Sequence, residues 1–542
     1  MEFKLLSSLE KFMDGDFLHA KQGTDRASIL KNERYSFQLA VASNVKYAFY
    51  IKVDTDLDVS VSRVRQVPVR CAQELPGDEN HISMLPGLYP DFLEPCDLSK
   101  HFYINFGCAE SFWFFVEPNG KTGTHEIKIE LFDLEMKSVG KTTFTLDIID
   151  AELPEQKLTV TNWFHSDCLA VYYNVEAWSE RHWEIVENFI STAVKYGMNM
   201  FLTPVLTPPL DTAIGGERPT VQLVDIKVTN GVYRYNFSKL DRWIDMCLRC
   251  GVKYFEISHL FTQWGAKAAP KVMATVDGEY KRIFGWDTDS TGAEYKKFLR
   301  SFVKALVNHL KKRGVDKMCY FHISDEPSNE EAMVNYRKCR KIVQNLLKDY
   351  VIMDALSHYE FYANGTVTFP VPSNDFIEPF LENKVPNLWT YYCTGQQIAV
   401  SNQFIAMPSA RNRIIATQLY KFDIAGFLQW GYNYYYSTLS QYPINPYVSP
   451  DSDGRFQGGD PFKVYPGNDG RALESIRLVV FHEALQDLRA MQLLESLSSK
   501  EKVMSILEDG IEPLTFKNYP HGAEYILSTR EKINAEIAKL IK

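Results

Sequence analysis

Over the first 153 residues apolar and polar side chains alternate with a period of two. Phe37, Leu39 and Val41 share one face of a run, as do Ile127, Ile129 and Leu131, and again Phe144, Leu146 and Ile148. Turn residues such as Pro118-Asn119-Gly120 separate the runs. Alternation buries one face of a strand and wets the other, so residues 1–153 are expected to form an antiparallel β-sandwich that ends at Leu153-Pro154. Past Pro154 short apolar runs alternate with amphipathic helical stretches, the pattern of a parallel α/β architecture. Strands are expected near 158–164, 198–203, 252–258, 318–323, 350–356, 386–392, 424–430 and 462–465. Helices are expected near 179–196, 238–250, 291–313, 328–348, 375–383, 408–422 and 473–497. That succession predicts a (β/α)8 barrel over residues 154–497, followed by a helical tail over 498–542.

Two connections after predicted strands are long. The second holds a period-two hairpin, Val221 to Phe237, turned at Asn230-Gly231. The third, Leu260 to Ser290, carries Trp264 and Trp286. In a barrel such loops overhang the C-terminal face, where active sites lie.

Composition narrows the function. The 542-residue chain is 45% hydrophobic and 23% charged, which is globular rather than disordered. A net charge of −9 with no basic tract argues against nucleic acid as a partner. No stretch approaches the ~20 apolar residues of a membrane span. The start, MEFKLLSSLEKFMDGDF, lacks the long apolar run of a secretory signal. Nine scattered cysteines, an odd number, do not form a disulfide framework. Cys247 and Cys250 make a single CxxC with no second pair, which is short of a metal site. A cytoplasmic setting with neither metal nor cofactor is therefore expected, and the oligomeric state is not encoded in these patterns.

The chemistry concentrates in His322-Ile323-Ser324-Asp325-Glu326-Pro327. This segment closes the apolar run Met318–Phe321 and precedes a charged helical stretch from Ser328 to Lys348. Two adjacent carboxylates at a buried strand end repel each other and lose hydration, so they are poor structural material. Asp325 serves as a helix cap in the structural reading, but that leaves Glu326 unexplained. Carboxylate pairs are the tools of sugar-linkage cleavage, separated by ~5 Å in retaining enzymes and ~6.5–9.5 Å in inverting ones.

The partner carboxylate that such chemistry ordinarily requires is missing from the run Leu428-Gln429-Trp430-Gly431-Tyr432-Asn433, where Gln429 stands in its place. That absence favours a substrate that supplies its own nucleophile, the 2-acetamido oxygen of an N-acetylhexosamine. Adjacent Asp and Glu serve that chemistry if the chain bends between them, because in a straight strand they face opposite ways. Two alternatives stay open: a two-carboxylate glycosidase using Glu326 with Asp354 or Glu256, and a carbohydrate-binding barrel without activity.

The SDEP segment resembles that of glycoside hydrolase family 123 and its relatives carrying the DUF4091 domain. Further pieces agree: Thr203-Pro204, Gln222-Leu223-Val224, Leu388-Trp389-Thr390-Tyr391-Tyr392-Cys393, Leu428–Asn433, Tyr465-Pro466-Gly467 and the helical stretch Leu473–Glu495. The resemblance spans most of residues 1–497, including the β-region ahead of the barrel. It implies an exo-acting β-N-acetylgalactosaminidase on an oligosaccharide or glycoconjugate. Asp325 then matches the aspartate that orients and stabilises the acetamido group, and Glu326 the general acid/base.

Aromatic residues at strand ends point to sugar stacking independently. Trp389 and Tyr391 lie two apart on one face, and Trp430, Tyr432 and Tyr434 crowd the end of another run. Asn433 offers a polar partner for hydroxyls, and Trp264 sits on a loop over the same face. His165, His259 and His358 also fall at predicted C-terminal strand ends, without HxH or HExxH spacing. The residues expected to contact substrate are thus Trp389, Tyr391, Trp430, Tyr432, Asn433, His165, His259 and Trp264.

Overall fold

The computed structural model describes residues 1–13, 16–327 and 329–541. The N-terminal region is β-rich. One five-stranded sheet has the order Glu2–Ser7, Tyr35–Ser43, Cys108–Glu117, Asp58–Val69, Gly87–Pro95. A second has the order Arg26–Leu30, Ser138–Ile149, Gly123–Phe132, Tyr47–Asp54, Phe102–Ile104. The alternating residues Phe37, Leu39 and Val41 of the first meet Ile127, Ile129, Phe144 and Leu146 of the second in one buried cluster. Phe37 stacks on Phe114 at 4.9 Å and on Phe144 at 4.3 Å. Pairing is not wholly antiparallel: Arg26–Leu30 runs parallel to Ser138–Ile149. Its neighbours in sequence both lie in the other sheet, so no hairpin dictates its direction.

The second region is an eight-stranded parallel sheet. In chain order its strands are Thr159–Asn162, Met200–Thr203, Tyr254–Ile257, Cys319–Phe321, Val351–Ala355, Phe369–Val371, Trp389–Tyr391 and Gly426–Gln429. The first and last pair in parallel over Thr159–Asn162 and Gly426–Gln429. A parallel bridge between Ser373 and Tyr391 joins the sixth strand to the seventh and rounds the sheet into a TIM-like near-barrel.

One expectation is corrected here. Residues 462–465 are not the eighth barrel strand: Val464–Pro466 forms an antiparallel hairpin with Ala472–Glu474. The unforeseen strand is Phe369–Val371, three residues long with Pro370 at its centre, which reads as a breaker in sequence. The runs near 386–392 and 424–430 are accordingly the seventh and eighth strands. The helices fall close to the expected spans, from Glu180–Lys195 to Ile476–Leu497. The helix expected from 328 begins at Glu330, with Asn329 as N-cap accepting from the Ala332 N–H, and residue 328 lies outside the described residues.

Inside the barrel, Met200, Leu202, Met353, Val371 and Trp389 form an apolar plug below the C-terminal face. Trp389 fits only because residue 426 is glycine: a Cβ there would meet the indole at 2.1 Å. The second βα connection contains the hairpin Asp225–Thr229/Val232–Asn236, with Asn230 and Gly231 both at positive φ as a type I′ turn demands, and its Tyr233 and Tyr235 pack on Phe298 and Phe302 of the helix Ala293–Arg313. A second hairpin, Val272–Val276/Glu279–Phe284, extends it into a four-stranded sheet. Both residues of its turn, Asp277-Gly278, are likewise at positive φ.

Buried ion pairs join the two regions. Arg477, on the last barrel helix, grips Asp91 of the first N-terminal sheet through Nε and Nη2, both at 2.9 Å. The helix Ala523–Leu540 adds Arg530, paired with Glu33 and with Asp487. No helix among the described residues is long and apolar enough to cross a membrane.

Candidate active site

The fourth strand delivers Asp325 and Glu326 to the C-terminal face. After Phe321 the strand ends and the chain bends at Ile323 and Asp325, held by neighbours on both sides. Ile323 N–H donates to Asp354, Ser324 Oγ donates to the Thr262 carbonyl at 2.8 Å, and Trp264 N–H donates to the Asp325 carbonyl at 2.9 Å. The chain then turns sharply: Glu326 has φ +40°, a left-handed conformation that costs a non-glycine residue ~1–3 kcal/mol. Adjacent side chains that a straight strand would send to opposite faces therefore both reach one cavity.

That cavity encloses about 650 Å³ including the solvent space at its mouth. Its walls include Trp163, Trp264, Tyr391, Leu428, Trp430 and Phe456, with Asp211 and Gln263 as polar groups beside the carboxylate pair. Three of its non-glycine residues, Asp211, Trp264 and Glu326, hold positive φ. Backbone strain of this kind collects where geometry is fixed for function.

The electrostatics are set by burial. Desolvation raises the Glu326 carboxyl, opposed by a hydrogen bond from Tyr391 Oη to Oε1 at 2.6 Å. Asp325 is pushed well above the usual carboxylate range, by desolvation first and then by the neighbouring Glu326 charge. His322 pulls it down, whereas Asp354 and Glu256 push it further up. Two carboxyls raised together at one strand end share protons as a pair and titrate as a pair.

Beneath the pair lies a buried ionic cluster. His322 donates from Nε2 to Glu256 Oε1 at 2.7 Å and from Nδ1 to Asp354 Oδ1 at 3.2 Å. These bonds outweigh desolvation and raise the imidazole to about 10, so it is an imidazolium. Glu256 also accepts from Thr161 and from Trp163 Nε1, and Asp354 accepts from Tyr336. His259 stacks on His322 with ring centroids 4.1 Å apart. His259, His322 and Asp354 have ligand-type atoms within 4.8 Å of one another. His322, however, spends both nitrogens as donors to carboxylates, which leaves it no lone pair for a metal.

The expected contact residues divide. Tyr391, Trp430 and Trp264 line the cavity with Asp325 and Glu326, and Trp264 is 48% exposed at its rim. Trp389 is in the apolar plug, packed on Tyr320 and Phe369. It lies two residues before Tyr391 on the same face, one layer deeper in the barrel. Tyr432 points outward, its hydroxyl on the Phe189 carbonyl at 3.0 Å. Asn433 is spent on the His165 backbone, accepting its N–H at 2.9 Å and donating to its carbonyl at 3.1 Å. His165 accepts from Arg218 at Nδ1 and donates to the Trp430 carbonyl from Nε2; burial and the guanidinium lower it to about 3. His259 is fully buried and neutral, and His358 is solvent-exposed beside Glu360. Gln429 bonds the Gly431 N–H and the Asp460 carbonyl and does not line the cavity. Asp354 and Glu256, the alternative catalytic partners, have no exposure and are saturated by the cluster just described.

Sequence reasoning missed Trp163, Asp211, Gln263 and Phe456. Trp163 follows the first strand directly, and the strand-end criterion used for His165 would have found it. Asp211, Gln263 and Phe456 sit on loops without periodicity, where no local signal exists. Asp211 accepts from Tyr434 Oη and the Leu439 N–H. Trp430 is braced from behind by Asp460, which accepts its Nε1–H at 2.9 Å and is raised to about 7 by burial.

A barrel with a strained acid pair in an aromatic-walled cavity has the make-up of a carbohydrate-cleaving enzyme. A family model described as glycoside hydrolase 123, catalytic domain, matches residues 163–494, more than half of the chain. The chain belongs to glycoside hydrolase family 123. Among solved structures it is similar to a family 123 glycoside hydrolase from Clostridium perfringens, with TM-score 0.76 and 13% identity over 99% of this chain and 98% of that one. A Parabacteroides merdae β-glucuronidase overlaps 85% of this chain and 51% of its own at 11% identity, with TM-score 0.33. No curated protein matches in sequence.

Proposed function

We propose that the protein removes a terminal β-linked N-acetylhexosamine, N-acetylgalactosamine by family resemblance, with retention of configuration and with the substrate's 2-acetamido group as nucleophile. The observation that carries this reading is the left-handed bend at Glu326, which turns both members of the pair toward one cavity. In the first step the acetamido oxygen attacks the anomeric carbon while Asp325 accepts the amide N–H and balances the oxazolinium charge. Glu326 gives its proton to the leaving oxygen. In the second step Glu326 takes a proton from water, which opens the oxazoline from the opposite face. Binding of the amide N–H favours the Asp325 anion, so the proton that the pair holds settles on Glu326.

The clostridial relative is described in terms of glycolipid glycan hydrolysis, so glycolipid glycans ending in β-N-acetylgalactosamine are the first substrates to try. The test is a panel of aryl β-glycosides with and without the 2-acetamido group, with proton NMR of the first-formed anomer. Turnover is expected only with the acetamido group and with the β-anomer formed first. Asp211 is the observation on the other side, a carboxylate on the same cavity. Were it a nucleophile, sugars lacking the acetamido group would be cleaved and Asp211→Ala would stop that cleavage.

Tyr391→Phe gives a finer check. The phenol bond lowers the Glu326 carboxyl, so its loss raises it. Glu326 acts protonated, and the basic limb of the kcat/KM profile is therefore expected to move to higher pH, with kcat reduced. An unmoved limb would remove Tyr391 from the acid's control.

A further inference from the structure

The cavity mechanism uses two carboxyls, but the protein buries two more directly beneath them. Glu256 and Asp354 come from the third and fifth strands and flank the fourth, whose His322 lies between them. All three side chains have no exposure. A buried pair of one acid and one base would be neutral; this cluster holds two acids and one base. Replacing such groups with apolar side chains is ordinarily neutral or stabilising, so stability alone does not account for their presence.

We propose that Glu256, His322 and Asp354 are positioning residues that set the charge state of Asp325 through one buried net negative charge. The inference rests on the functional reading above, in which Asp325 works as an anion. Burial raises the Asp354 carboxyl, while the hydrogen bonds it accepts from His322, Tyr336 Oη and the Ile323 N–H draw it back toward the anion, and nearby buried charges act through little screening solvent. Glu326 stands beside Asp325, His322 lies three residues earlier on the same segment, and Glu256 and Asp354 lie on the two strands that flank it. His322 in turn faces Glu256, Asp354 and the neutral His259, and Asp354 also faces Tyr336. The excess negative charge discourages ionisation of Asp325 in the empty site. A substrate amide N–H offsets that penalty, so the anion forms where the acetamido group is bound. The same cluster fixes the course of the strand end, since Asp354 also accepts the Ile323 N–H at 3.1 Å.

The sign of each charge gives the test. His322→Gln removes the cation and leaves the two acids, so Asp325 is expected to titrate about one pH unit higher. Glu256→Gln removes an anion and leaves a neutral cluster, so Asp325 is expected to titrate about one unit lower. Asp354→Asn is expected to match Glu256→Gln and serves where one variant fails to fold. The direct reading is the carboxyl 13C shift of Asp325 against pH in the substrate-free protein, assigned by its loss in Asp325→Asn. This readout does not depend on turnover, so the functional reading can fail without deciding it. If the reading also holds, the acidic limb of kcat/KM follows the same opposite directions. Shifts of the same sign in the cation and anion variants, or no shift in either, overturn the inference. In the wild-type protein both ring N–H protons of His322 are expected to persist through pH 8; loss of one below pH 7 overturns it as well.

Discussion

Glu326→Ala is expected to lower kcat/KM by ~10²–10⁴-fold on a natural β-linked disaccharide and by much less on a nitrophenyl glycoside. The difference follows from the proposed role. A sugar hydroxyl leaves only when protonated, whereas nitrophenolate leaves without help. The variant should also lose the basic limb of its kcat/KM profile, because no raised carboxyl remains to be deprotonated at that position. Asp325→Ala should behave otherwise. In the proposed mechanism its group holds the acetamido nitrogen and balances charge at the oxazolinium, so its loss should slow attack on every substrate whatever the leaving group. Azide should not rescue it, since the carboxylate is not a nucleophile whose place a small anion could take. Equal losses on both substrate types by both variants, or full activity in either, would show that the labour is not divided in this way.

The acid pair was legible because chemistry is written in adjacent residues: two carboxylates before a proline after an apolar run have few other uses. Its geometry was not legible. The sequence asks only that the chain bend there, and the bend falls at Glu326, held by contacts from the 262–264 loop and from Asp354. Barrel strands were legible even where only three residues long, as at Cys319–Phe321 and Trp389–Tyr391, and the equally short Phe369–Val371 was lost because Pro370 at its centre reads as a breaker. Strand-end position alone does not tell a pocket residue from a plug residue. Trp389 and Tyr391 satisfy the same alternation, yet one lies a layer below the other. The histidines misled for a related reason: a strand end over a barrel is also where loops are tied down, and His165 with Asn433 does the tying.

Arg477→Met is expected to cost ~3–5 kcal/mol in chemical denaturation, the usual penalty for leaving a buried charge without its partner. Arg477 is 2% exposed and Asp91 is fully buried, so the carboxylate cannot recover hydration when the guanidinium goes. Tyr465 Oη would still donate to Asp91 at 2.6 Å, which softens the loss but supplies no charge. The double variant Arg477→Met with Asp91→Asn should recover part of that stability, because the orphaned charge is gone. The same arginine reaches the active face. Its Nη1 donates to the carbonyls of Gly459 and Phe462, which bracket the Asp460 that braces Trp430. Loosening that loop should let the indole wall of the cavity drift, raising KM more than it lowers kcat if Trp430 packs against the sugar. Strict additivity of the two substitutions in denaturation would mean that the ion pair between the β-rich region and the barrel is not an energetic unit. An unchanged KM in a folded Arg477→Met protein would separate that joint from the site.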